Sequence, residues 1–241
     1  MLTYNKMCEK NFCFTDDVWP MISAQVDWIV DVHPPPASSS LLRAVPLWKI
    51  VNNISQLYHH KKVTYLGYRR ERCIYIIDKN GVSSEFVALP DGKQFWHMTI
   101  MNDKLFVLTR CDWVLVYSLR GEQITSWQIN SSCHDIVTAG DKLVADCDPD
   151  LIVFDEEGNK LSTLSNDLWQ DDCIFPLDSK SIIVVNVYRH NVKRMCIRKG
   201  EEMWRNEDDI SRPASAVYDG HGNVLVLHFG GYIHVLDVST G

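Results

Sequence analysis

Asp135 and Asp172 have the spacing in this chain that most suggests chemistry. They stand 37 residues apart, each at the start of a short apolar run. If those runs are equivalent strands of neighbouring units, both carboxylates open on one mouth. Converging oxygens there would suit Ca²⁺, which takes six to eight oxygen ligands. The neighbouring units offer only Trp96-His97 and Ala214-Ser215 as further ligands. The alternative is that both aspartates cap strand ends and meet solvent. His59-His60 with His97 has no accompanying Cys, His or Asp at zinc-ligand spacing. Asp146, Asp148 and Asp150 imitate part of a calcium loop, but its Gly and distal Glu are missing, which leaves a turn. No Gly-x-Ser-x-Gly elbow presents a serine nucleophile. Cys8 and Cys13 have no partners that would complete a zinc knuckle. No catalytic motif emerges, and no cofactor is expected.

The other polar residues in pattern suit recognition. Tyr68-Arg69-Arg70-Glu71-Arg72 and Tyr188-Arg189-His190-Asn191, the latter with Lys193-Arg194, are basic groups rich in Arg and Tyr. Those two residue types carry much of the energy at protein interfaces. With Arg110, the candidate binding residues are Tyr68, Arg69, Arg70, Arg72, Arg110, Tyr188, Arg189 and His190. Plain solvated turns would look the same.

The elements that position these groups repeat. Asp141–Leu164 is two short apolar runs and the start of a third, cut by Asp148-Pro149-Asp150 and Asp155-Glu156-Glu157-Gly158. Such runs, bounded by Asp, Pro and Gly, predict antiparallel strands in a meander. The unit recurs at Lys62–Leu89, Asp103–Trp127, Ser179–Trp204 and Asp219–Gly241, with turn glycines Gly81, Gly121, Gly158, Gly200 and Gly241 separated by 40, 37, 42 and 41 residues. Four strands per unit at that period predict an all-β fold, a β-propeller of five or six four-stranded blades. No helical 3.6-residue period competes. The spans Phe95–Met101, Leu105–Cys111, Trp113–Leu119 and Gln123–Ile129 read as strands a to d of one blade. The next blade takes His134–Thr138, Leu143–Cys147, Leu151–Phe154 and Lys160–Leu164, and the one after it Asp172–Leu177, Ser181–Tyr188, Val192–Ile197 and Glu201–Arg205. The last has Ala214–Tyr218, Val224–Phe229 and Tyr232–Val238 without a fourth strand. The basic groups fall in or beside b–c turns and so share one rim. Trp127 and Trp204 occupy matching d strands, where packing between blades is the expected role.

In the last repeat, Tyr218-Asp-Gly-His-Gly-Asn-Val-Leu-Val and Tyr232-Ile-His-Val-Leu-Asp-Val-Ser-Thr-Gly241 resemble the NHL-type propeller repeat. Val144-Ala145-Asp146 with Leu151-Ile152-Val153-Phe154-Asp155-Glu156-Glu157-Gly158 fit it too, and the resemblance extends over about residues 62–241. The Asn-x-Arg that often precedes strand c in that family is absent, so WD-type and quinoprotein-type blades stay open. The resemblance implies a protein- or RNA-binding domain, as at the end of tripartite-motif proteins. The chain has no RING-like array, so ligase activity does not carry over. Lactonase-like propellers use a metal at the channel mouth, which makes a metal-dependent hydrolase on Asp135 and Asp172 the competing enzyme reading.

Composition narrows these options. Of 241 residues, 46% are hydrophobic and 23% charged, an ordinary soluble balance. The net charge of −7 disfavours a generic nucleic-acid binder. Single-stranded RNA bound through Arg69, Arg70, Arg72 and Arg189 with nearby tyrosines is therefore a lesser option than a protein partner. No apolar run reaches the roughly 20 residues that span a bilayer, and no signal-peptide pattern opens the chain. Eight scattered cysteines predict free thiols in a reducing, cytoplasmic setting, with the Asn53 and Asn130 glycosylation matches fortuitous. Residues 1–45 form an N-terminal segment with the Pro-rich loop His33–Ser40, and 46–241 the repeats. Pro46–Val51 reads as a first strand and His59-His60-Lys61-Lys62 as a basic turn. In Val26–Val32, Val26, Trp28, Val30 and Val32 share one face while Asp27 and Asp31 share the other. That alternation suggests a strand closing the ring against Tyr232–Val238, the competing reading being a truncated chain.

Overall fold

The hairpin at Asn102-Asp103 shows how one unit starts. Both residues have positive φ, 49° and 57°, the geometry of a two-residue turn whose twist matches its flanking strands. It joins β5 (Phe95–Met101) to β6 (Lys104–Thr109). A second local device is the Asp-x-x-Gly-Asn turn. Asp155 accepts from the Asn159 backbone N (2.7 Å) and side-chain amide (2.8 Å). Asp219 does the same with Asn223, at 3.0 and 2.6 Å. Hydrogen bonding by the Asn159 side chain, helped by nearby backbone N–H groups, holds the Asp155 carboxyl below its usual range.

The structure, a computed structural model, describes residues 54–60, 63–68, 71–77, 82–148, 150–164, 173–207, 210, 212–229 and 232–241. Among these there are nineteen strands and no helix, hence none long and apolar enough to cross a membrane. They make five antiparallel sheets, each in chain order. Blade one is β1 (Ile54–His60), β2 (Val63–Tyr68), β3 (Cys73–Ile77) and β4 (Ser83–Ala88). Blade two is β5, β6, β7 (Trp113–Ser118) and β8 (Gln123–Gln128). Blade three is β9 (Cys133–Ala139), β10 (Lys142–Cys147), β11 (Asp150–Phe154) and β12 (Lys160–Leu164). Blade four is β13 (Cys173–Pro176), β14 (Ser181–Asn186), β15 (Asn191–Cys196) and β16 (Glu202–Asn206). Blade five has β17 (Pro213–Tyr218), β18 (Asn223–His228) and β19 (Ile233–Asp237). The inner strands are neighbours in the succession β1–β5–β9–β13–β17, so the sheets stack around an axis as a propeller.

Stacking explains why the middle strands lose simple alternation. Leu105, Phe106, Val107 and Leu108 of β6 are all fully buried because a blade covers each face. One apolar cluster lies between each pair of neighbouring blades. Between blades two and three, Phe106, Leu108 and Val114 meet Ile136, Leu143 and Ala145. Between four and five, Ile183, Val185 and Trp204 meet Val224, Val226 and Leu236. The c–d turn glycines tighten these seams. Gly121, Gly158, Gly200 and Gly241 sit against Phe86, Trp127, Leu164 and Trp204 of the preceding blade. The inter-blade role expected of Trp127 and Trp204 is the observed one.

Several expectations are corrected. Cys133 and Cys147, opposite each other on β9 and β10, form a disulfide instead of two free thiols. Cys73, Cys111, Cys173 and Cys196 stand outside any disulfide, and Cys8 and Cys13 lie outside the described residues. His59 and His60 belong to β1, not to a turn, because the β1–β2 hairpin pairs His59 with Thr64 and His60 with Val63. Lys193 is buried in β15. Arg194 donates to Ser181 Oγ, Asp178 and the Val238 carbonyl, so both leave the rim to which sequence assigned them. Val26–Val32, Pro46–Val51, Arg69, Arg70 and Asp172 lie outside the described residues.

Candidate functional site

In an up-down-up-down blade, the b–c turns and the d–a connections emerge on one face of the disc. Backbone bonds continue each ladder into this rim. Leu89 N donates to the Arg72 carbonyl (2.6 Å), and Ile129 N to that of Asp112 (2.8 Å). Arg110 N donates to the Gln94 carbonyl, and Phe229 N to that of Arg212. Two side chains then link neighbouring blades. Asp112, just before β7, accepts from the backbone N of Cys133 at the start of β9 (3.0 Å). His190, just before β15, accepts through Nδ1 from the backbone N of Arg212, just before β17 (2.8 Å). Asp112, His190 and Arg212 are all left-handed, at φ 60°, 55° and 47°. Asp and His tolerate that region better than most residues, and Arg does not. Such strain persists only where the surroundings impose it, and it gathers at functional sites.

The blade-four and blade-five sector of this rim gathers exposed Tyr, Arg and His side chains. Tyr188 is 62% exposed, with exposed Arg189 and His190 beside it. Arg212 sets its guanidinium over the Phe229 ring, 5.2 Å from the centroid, a cation–π contact. Arg212 and Phe229 were missed from sequence. Their link to His190 spans 22 residues and has no local signal. Tyr188, Arg189 and His190 are thus brought together. The other candidates sit elsewhere on the rim. Arg72 is exposed and ion-paired with Asp91, and Arg110 is exposed in the blade-two turn. Tyr68 is half-buried, edge-to-face with Tyr75, and burial raises its phenol pKa. Lys93 lies over Trp113, 4.1 Å from the ring centre.

The inner strands reveal what Asp135 does. Blades one, two and five bulge at the second residue of the inner strand, and blade three shifts register at the same place. The third residues are Gln56, His97, Asp135, Phe175 and Ser215. Gln56 bonds the Met98 backbone twice, Nε2 to the carbonyl at 2.8 Å and Oε1 from the N–H at 2.6 Å. His97 Nδ1 lies 2.8 Å from Asp135 Oδ1 and 3.1 Å from the Ile136 carbonyl. Both are acceptors, so Nδ1 carries the hydrogen. Asp135 also accepts from Ile136 N (2.7 Å) and, through Oδ2, from Ile174 N (3.2 Å). Each of these polar groups reaches the next inner strand and joins two blades. The carboxylate that sequence offers as a metal ligand is spent on that bridge. Among the described residues no three His, Cys, Asp or Glu side chains converge as metal ligands.

The architecture and this rim define a β-propeller. No family model matches the chain, and no curated protein matches it. Solved propellers do. The WD40 β-propeller domain of Doa1 aligns with TM-score 0.63 at 13% identity, over 76% of this chain and 63% of that one. A chain of the mitotic checkpoint complex aligns with TM-score 0.60 at 13% identity, over 78% and 62%. BamB from Moraxella catarrhalis aligns with TM-score 0.56 at 12% identity, over 76% and 57%. The likeness is one of fold, and the chain spans about three fifths of the length of these structures.

Proposed function

We propose that this propeller is a non-enzymatic platform that binds a protein partner through the rim sector Tyr188, Arg189, His190, Arg212 and Phe229. The observation that carries the reading is the bond from the Arg212 backbone to His190, which fixes two left-handed residues beside an exposed tyrosine. A rigid scaffold presenting an ordered turn loses little freedom on binding. Tyr and Arg are the residue types from which interface hot spots are built. A protein partner also suits the net charge of −7 better than RNA does. Within this reading the NHL-like wording of blades three and five makes the chain an adaptor of the tripartite-motif kind, acting in the cytoplasm.

Affinity capture with wild type and with Tyr188→Ala/Arg189→Ala, quantified side by side, tests it. These surface changes should alter stability by less than about 0.5 kcal/mol yet deplete a discrete partner set at least about tenfold, the size of one modest hot spot. Identical partner sets from both proteins would refute the assignment.

A further inference from the structure

Asp112 and His190 fill the same slot in two blades. Each is the last residue before the third strand of its blade, β7 or β15, at positive φ of 60° and 55°. Each accepts a hydrogen bond from a backbone N at the start of the next blade, Asp112 from Cys133 (3.0 Å) and His190 from Arg212 (2.8 Å). The two acceptors differ chemically. A carboxyl group keeps acceptor oxygens in either protonation state, whereas an imidazole has one acceptor nitrogen and turns it into a donor on protonation. In the His190 bond that nitrogen is Nδ1, so the ring hydrogen sits on Nε2 and the bond exists only while the ring is neutral.

Arg212 depends on that bond. Its φ of 47° is left-handed, a region that a long side chain keeps only where its surroundings impose it. Its carbonyl accepts from Phe229 N (3.1 Å), and its guanidinium lies 5.2 Å over the Phe229 ring. With N–H and carbonyl both engaged, the peptide is held from two sides. A hydrogen on His190 Nδ1 would face the Arg212 N–H, donor against donor. It would also add a positive charge beside Arg189 and Arg212. The other titratable and charged groups on the elements around this turn are Tyr188 within it, and Arg205 and Glu207 at and just past the end of β16, paired at 3.4 Å. Next to Phe229 are His228 and Tyr232, stacked at 4.2 Å. Asp208 and Asp209 lie outside the described residues.

We infer that His190 is a pH switch for this rim sector: neutral, it holds Arg212 in place over Phe229, and protonated, it releases Arg212. The consequence, which rests on the proposed platform function, is that the protein partner is held at neutral pH and let go in mild acid. Of the side-chain types in this sector, imidazole is the one that ordinarily changes charge between about pH 5 and 8. The seam between blades two and three, with Asp112 in the equivalent slot, keeps its acceptor throughout that range and supplies an internal control.

NMR on the full chain reads the switch without any partner. Between about pH 8 and 5 the Arg212 amide resonance should move on the same curve as the His190 imidazole, while the Cys133 amide stays in place. In His190→Asp, which copies the Asp112 slot, the Arg212 amide should stay in place too. Affinity capture at about pH 7.5 and 5.5, compared within each protein, should fall at least about tenfold for wild type, the worth of one hydrogen bond, and less than about twofold for His190→Asp. An Arg212 amide that ignores the His190 titration, or that moves equally in His190→Asp, would overturn the switch and leave the platform reading standing. So would a His190 ring still neutral at about pH 5, or capture with the same pH dependence in both proteins. Partner sets indifferent to Tyr188→Ala/Arg189→Ala, with the Arg212 amide titrating as expected, would refute the platform reading and support the switch.

Discussion

Gly158→Ala isolates the seam between blades two and three. Gly158 has φ +88°, and an added Cβ would fall 2.4 Å from Trp127 Cδ2 and 2.6 Å from Cε2. Two penalties follow. Placing a side chain at left-handed φ costs about 1–2 kcal/mol, and forcing a methyl into a filled contact adds about 1–3 kcal/mol. The expected loss is about 3 kcal/mol in urea unfolding. Gly92 separates the terms, since its φ is +76° with nothing within 4 Å of an added Cβ. Gly92→Ala should lose only about 1 kcal/mol. Trp127→Ala removes the obstacle, so the cycle joining Trp127→Ala and Gly158→Ala should show a coupling of about 2 kcal/mol, with the double mutant better than additive. Equal losses for Gly158→Ala and Gly92→Ala, or no coupling with Trp127, would refute the argument that the turn glycine is required by the neighbouring indole.

Asp135→Ala should destabilise by about 3 kcal/mol in the same assay, because it strands the buried Ile174 N–H and the His97 partner. Asp135→Asn, which keeps an acceptor, should lose less, and a loss no larger than that of a surface substitution would contradict the bridging role. Reducing Cys133–Cys147, which closes a separation of 14 residues, should lower stability by about 3 kcal/mol. Differential alkylation in cells should find the pair oxidised, and a fully reduced pair would contradict the disulfide. Glu156 is held below its usual carboxyl range by hydrogen bonds from Lys104 and then Asn102. Its contribution is therefore complete above the unfolded value of about 4.3 and lost as pH falls through the depressed folded value. The stability gap between wild type and Glu156→Gln should be constant from pH 7 to 5 and close at lower pH, and a gap indifferent to acid would contradict the pairing.

Much of the architecture was legible in the sequence because strand boundaries are set by near neighbours. Asp, Asn, Pro and Gly turns end each run, and the predicted Phe95–Met101 and Lys160–Leu164 strands are the observed β5 and β12. The repeat of turn glycines carried the blade count. Tertiary structure decided the rest, since its partners lie between blades. His97 meets Asp135, Gln56 meets Met98, and His190 meets Arg212 over 22 to 42 residues. Nothing local marks one aspartate as a bridge and another as a cap. The register of each bulged inner strand is what turns the third side chain onto the next blade. The same holds for Cys133 and Cys147, ordinary in spacing and joined only because β9 and β10 set them opposite each other. Short-range turn chemistry gives this chain its blades, and stacking of those blades selects which side chains become seams and which are left on the rim.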